Sequence, residues 1–199
     1  MNRKGFTMVE LIAMMTVLAI LMAIAVPNIS GILKSNKESI QVEDINKMIE
    51  TAKRKLNNNE AAYPPKEEAG DIKKYCTVIT LNALNDNGDF TKGVNDGEYQ
   101  GDKSYIVIKR IDNSNGTYTY EYYIKLVEKK NNKYFSMGPV DFETFSSNPK
   151  QYSSIRVNEE NVKSLTGTQE EVVAEINSAY NLANDPDKEI CGAIYSFLG

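Results

Sequence analysis

The sequence predicts an α+β fold, with a long N-terminal helix packed against a small antiparallel β-sheet and an extra helical region near the C-terminus. Three features predict it. An apolar run from Phe6 to Val26 passes into a helical repeat that ends near Leu56. Segments rich in Tyr, Ile, Val and Thr, divided by turn residues, follow between Tyr105 and Met137. A capped helical period then begins at Thr168.

The apolar run is interrupted only by Thr7, Glu10 and Thr16. As a helix it extends about 31 Å at ~1.5 Å per residue, which matches a hydrocarbon core of ~30 Å. Arg3 and Lys4 precede it, so the positive-inside rule places the N-terminus in the cytoplasm and everything after Val26 outside. A secretory signal has a shorter apolar core and a small-x-small cleavage site, which Ile24-Ala25-Val26-Pro27 matches poorly. A plain signal anchor explains length and charge but leaves Glu10 unexplained. A carboxylate in a spanning helix costs about 2.5–3.5 kcal/mol at the centre and less near the end, so it usually has a partner and a role. The competing reading is a glutamate that reaches back to the headgroups.

After Val26 the pattern changes. Pro27 has no N–H and is expected to kink the helix, with Gly31 adding weakness. Ile45, Met48, Ile49, Ala52 and Leu56 then recur at helical spacing and form one apolar face. Lys37, Glu43, Asp44, Lys47, Glu50, Lys53 and Arg54 form the other, and Asn57-Asn58-Asn59 is the expected stop. One helix from Phe6 to about Leu56 is the expectation.

The leading residues carry a family resemblance. Lys4-Gly5-Phe6-Thr7-Met8-Val9-Glu10-Leu11 resembles the cleavage and methylation motif of type IV prepilins. The resemblance implies a dedicated peptidase that cuts after Gly5 and N-methylates Phe6. It also implies an assembly role for Glu10 at the fifth mature position, and it places Pro27 at the family's usual proline. The expected organisation is a cleaved leader (1–5), a transmembrane and assembly helix (6–30), its amphipathic continuation (31–57) and a globular pilin head (58–199). Cleavage would leave an α-amino group at Phe6 that Glu10 of a neighbour, or of the same chain, neutralises in a low-dielectric bundle.

In the head, Tyr63-Pro64-Pro65 reads as a linker. Thr77 to Leu84, followed by Gly88 and Phe90, resembles the short helix ending in Gly-Tyr-Leu of many pilins. Tyr105–Ile111, Thr117–Val127 and Lys133–Met137 read as strands, the first two joined by a five-residue loop. Thr168-Gln-Glu-Glu171 reads as a capping box before a helix that Asn184-Asp185-Pro186 ends. Cys191 to Leu198 reads as a strand or tucked tail. The extra helical region is open between a subunit-specific surface and enlargement of the core.

The composition excludes several chemistries. The 199 residues hold no histidine, which removes Ser-His-Asp and Cys-His catalysis and His-bearing zinc sites. The formal net charge of −4 becomes −6 once Arg3 and Lys4 leave with the leader, 21 basic against 27 acidic residues, and no general nucleic-acid binding is expected. Lys125, Lys129, Lys130 and Lys133 read as a solvated hairpin edge. Asp112-x-Ser114-x-Gly116 and Asp86-Asn87-Gly88-Asp89 have the look of calcium loops but lack the distal glutamate of an EF-hand. No cofactor, metal or enzyme activity is expected. Cys76 and Cys191 enclose 114 residues. They are open between a disulfide, which an extracytoplasmic head permits and related pilins often carry near the C-terminus, and two buried thiols.

The resemblance implies a structural subunit of a type IV pilus, major or minor. It would be held in the cytoplasmic membrane by one pass before assembly and then form part of an extracellular filament. Its partners would be other pilin subunits, the prepilin peptidase and methylase, the membrane and the pilus assembly machinery. The same resemblance admits a pseudopilin of a type II secretion or DNA-uptake machine. A membrane-anchored enzyme or ligand-binding module is the reading from another class.

Overall fold

The computed structural model of the chain describes residues 7–62, 75–113, 116–152, 154–183 and 189–199. The chain divides into two compact units, Met1–Ser39 and Ile40–Gly199. Helix α1, Met8–Asn57, contributes to both. It starts and stops close to where the sequence places its ends, and it stays helical past Pro27 and Gly31, although Pro27 has no N–H to give to the helical ladder. The Pro27 side chain lies outside the described residues, as do Gly5 and Phe6.

The second unit is built around a sheet. Its strands are β1 (Tyr75–Thr80), β2 (Glu98–Tyr99), β3 (Tyr105–Asp112), β4 (Tyr118–Lys130), β5 (Lys133–Asp141), β6 (Ile155–Val157) and β7 (Ala193–Leu198). Their order is β6-β5-β4-β3-β1-β7, with β2 pairing with the end of β4. β3, β4 and β5 form the expected antiparallel meander, and β6, which the sequence did not announce, extends it. The sheet as a whole is larger than expected and mixed, because the C-terminal strand β7 returns to lie parallel to β1. A parallel partner so distant in sequence leaves no local signal.

Alternation along the central strands gives the sheet two apolar faces. Ile106, Ile108, Ile124, Leu126 and Ile79 pack against Ile45, Met48, Ile49, Ala52 and Leu56 of α1. Those α1 residues are the predicted apolar face, and all are at most 5% exposed. Tyr105, Val107, Tyr123, Cys76 and Val78 face the other way, toward Val172 and Ile176 of helix α4 (Gln169–Ala183), which follows the short helices α2 (Leu81–Leu84) and α3 (Phe142–Ser147). Register explains the division: Ile106 sits opposite Ile124, and Val107 opposite Tyr123. The extra C-terminal helix therefore covers a second face of the sheet.

The segment expected as a short helix from Thr77 is mostly strand. Only Leu81–Leu84 is helical, as α2, capped by Thr80. Thr77-Val78-Ile79-Thr80 alternates β-branched side chains between two buried faces, and that demand outweighs the resemblance to a helical segment. Asp44 also departs from its expected place on the solvent face of α1. It accepts a hydrogen bond of 2.5 Å from the Tyr99 hydroxyl, which ties β2 to the helix.

Cys76 and Cys191 are joined as a disulfide with Cα atoms 5.7 Å apart, and both are fully buried. The bridge fastens the segment entering β7 to β1. Asn177 of α4 holds the same segment: its Oδ1 accepts from the Ile190 and Cys191 amides, and its Nδ2 donates to the Cys191 carbonyl. Replacing both cysteines by alanine should lower the unfolding free energy of the full-length chain by roughly 2–5 kcal/mol, through loss of a long closed loop. Denaturant titration of both proteins checks this, and unchanged midpoints would contradict it.

Candidate functional site

The first turn of α1 contains the candidate site. Thr7 is the residue before the helix, and Glu10 is three positions on. The Thr7 amide donates to Glu10 Oε2 at 2.9 Å, and the Thr7 hydroxyl donates to the same oxygen at 2.8 Å. In return the Glu10 amide donates to Thr7 Oγ1 at 3.3 Å. This is a reciprocal capping box, which satisfies amides that the start of a helix leaves without partners. The signal for it is the Thr-x-x-Glu spacing of Thr7 and Glu10, which gives Glu10 a local role beside the assembly role that the resemblance implies. Thr16, the third interruption of the apolar run, donates its hydroxyl to the Ile12 and Ala13 carbonyls. Each of the three polar interruptions thus makes a hydrogen bond within its own segment, while Glu10 keeps its charge and takes both contacts on one oxygen.

The rest of this segment offers apolar surface. Met8, Val9, Leu11, Ile12, Met14, Met15, Val17, Leu18, Ile20, Leu21 and Met22 are each more than half exposed. Among the described residues no helix is long and apolar enough to cross a membrane. The side chains of 24–31 lie outside the described residues, so the expected span over 6–26 extends past those at both ends.

In the second unit, the acidic loops are neutralised by lysines. Lys55 Nζ lies 2.9 Å from Glu60 and 2.5 Å from Asp86, and Lys47 Nζ lies 3.0 Å from Asp89. The loop after Asp112 is closed by Asn113, whose amide donates to the Thr117 carbonyl and whose side chain reaches the Thr117 hydroxyl. Ser114 and Asn115 lie outside the described residues. Among the described residues no cluster of acidic or sulfur side chains has the arrangement of a metal site.

The basic hairpin divides differently from its sequence reading. Lys130 pairs with Asp96, Lys129 lies over the Tyr134 ring, and Lys133 is exposed. Lys125, by contrast, is 2% exposed on the α4 face. Burial pushes its amine pKa down, Glu175 of α4 opposes that shift, and Lys103 adds to it. Beside it, burial pushes the Tyr105 hydroxyl up. Alternation along β4 decides this placement, since Lys125 shares a face with Tyr123 and sits opposite Tyr105.

Residues 1–26 match the family described as the prokaryotic N-terminal methylation motif. This is a type IV prepilin-like signal, and it supports a type IV pilin-like protein, a pilin or a pseudopilin. It points to a structural member of the pilin family rather than an enzyme. No curated protein and no solved structure matches the chain.

The capping box has a local consequence. Thr7→Val removes the hydroxyl that both receives the Glu10 amide and donates to its carboxylate. Amide exchange over residues 8–11 of the full-length chain in detergent micelles should quicken roughly tenfold, as loss of a helix cap implies. Unchanged exchange rates would contradict the cap.

Proposed function

We propose that this chain is a structural subunit of a type IV pilus, inserted in the membrane as a prepilin, cut between Gly5 and Phe6, and polymerised through α1. The observation that carries the proposal is the methylation motif running directly into a capped helix with an uncovered apolar surface. Lipid covers such a surface before assembly, and neighbouring helices cover it afterwards.

Each residue then has a task. Gly5 and Phe6 present the scissile bond to the prepilin peptidase, and Phe6 is N-methylated. Cleavage creates an amine one residue before Thr7, at the helix end where Glu10 is held. Both Thr7 contacts fall on Glu10 Oε2, so the carboxylate is oriented before any partner arrives. Pairing with the Phe6 amine of a neighbouring subunit neutralises two charges in an apolar bundle and sets register along the filament. Pro27 removes one helical hydrogen bond and gives α1 a place to bend as subunits pack. The partners are further copies of the chain, the peptidase and methylase, and the assembly machinery of the cytoplasmic membrane. A pseudopilin of a secretion or DNA-uptake machine would use the same N-terminal chemistry. The size of the head, to which α4 adds a layer over the second face of the sheet, favours the pilus.

The surface form should lack Met1 to Gly5 and begin at a methylated Phe6, as read by intact mass and N-terminal sequencing. Retained Met1, or cleavage near Val26, would defeat the proposal. Glu10→Ala should still enter the membrane, because removing a charge favours partitioning, while its incorporation into filaments falls at least about tenfold for loss of a buried charge partner. Thr7→Val, which keeps the carboxylate, should assemble better than Glu10→Ala. Equal defects would assign Glu10 to capping alone, and normal incorporation of Glu10→Ala would remove its pairing role.

A further inference from the structure

We infer that the free edge of β7, with the groove beside it, takes up an extended basic peptide segment of a partner protein as an added strand. β7 ends the sheet and has a strand neighbour on one side only among the described residues. Its sequence, Ala193-Ile194-Tyr195-Ser196-Phe197-Leu198, carries no charge and no proline, the usual guards against strand addition. The opposite edge is guarded: β6 is three residues long and carries Arg156.

A groove of about 420 Å³ runs between the first half of α4 and the chain entering β7. Val173, Ala174, Gly192 and Ile194 give it an apolar floor, and Glu170 and Glu189 stand on its rim. Both glutamates are exposed. The other acids of α4 are engaged, Glu171 in the capping box with Thr168 and Glu175 with Lys163. Glu170 and Glu189 have no cationic partner among the described residues, and α4 contains no lysine or arginine. Strand addition obtains affinity from backbone hydrogen bonds and specificity from side-chain pockets. Here the edge supplies the first, the groove accepts a small apolar side chain, and the two carboxylates select lysine or arginine beside it.

The site is held rigidly. The Cys76–Cys191 bridge and the three Asn177 hydrogen bonds fix the segment that forms one wall. It also lies on the sheet face opposite α1.

The test uses the unassembled full-length chain in detergent micelles, so failure of polymerisation and failure of binding are read separately. A fluorescein-labelled peptide of alternating lysine and valine should bind saturably. The glutamate–valine analogue should not bind. The lysine–valine peptide with N-methylated backbone amides should lose binding, because it cannot extend the ladder. Glu170→Lys combined with Glu189→Lys, both at exposed positions, should weaken the basic peptide by about tenfold or more, as loss of charge-assisted contacts implies, and should admit the acidic one. No saturable binding, equal binding of the N-methylated peptide, or indifference to the double substitution would each overturn the inference.

Discussion

The structure depends first on an apolar surface that the described chain does not cover. From Met8 to Met22 the large aliphatic and methionine side chains stand more than half exposed. Each is already partly covered, so burying the remainder is worth about 1 kcal/mol, and together they favour a covered state by an amount on the order of the stability of a whole domain. A sequence bearing such a helix specifies its surroundings as firmly as its fold. The polar residues within it conform to that demand. Thr7 and Glu10 bond to one another, and Thr16 bonds to its own helix backbone. The Glu10 carboxylate is thereby held at the start of the helix by the Thr7 amide and hydroxyl.

The second unit answers a different constraint. A sheet has two faces, and a single amphipathic helix covers one. α1 from Ile45 to Leu56 takes the first, and α4 takes the second. The second layer carries a cost, since Lys125 and the Tyr105 hydroxyl are buried beneath it. The disulfide and Asn177 then fasten the last strand to this arrangement. They do so where that strand has no second neighbour among the described residues, and an edge so close to a fixed anchor is suited to receiving a partner.

Local patterns were the legible part of the sequence. The limits of α1, its buried face, the three strands of the meander and the Thr168–Glu171 capping box each rest on residues within a few positions of one another. They emerged close to where the sequence placed them. The misread elements depend on distant partners. Tyr75–Thr80 becomes a strand because β3 and β7 flank it on either side. The parallel β1–β7 pair and the burial of Lys125 likewise depend on segments remote in sequence. Around the candidate site the lesson is reversed. The Thr7–Glu10 box is legible from its spacing alone, because its partners are three residues apart. Asn177 had no signal, because an asparagine within a helix gives no notice that it caps a distant loop.

The central claim is that α1 finds its cover first in lipid and then in copies of itself. Helical reconstruction of filaments sheared from the cell surface tests it most directly. The account predicts a filament whose core is a bundle of α1 helices, with each Glu10 carboxylate beside the N-terminal amine of Phe6 in a neighbouring subunit. A chain found only as separate membrane-bound molecules, or a filament whose core excludes α1, would contradict it.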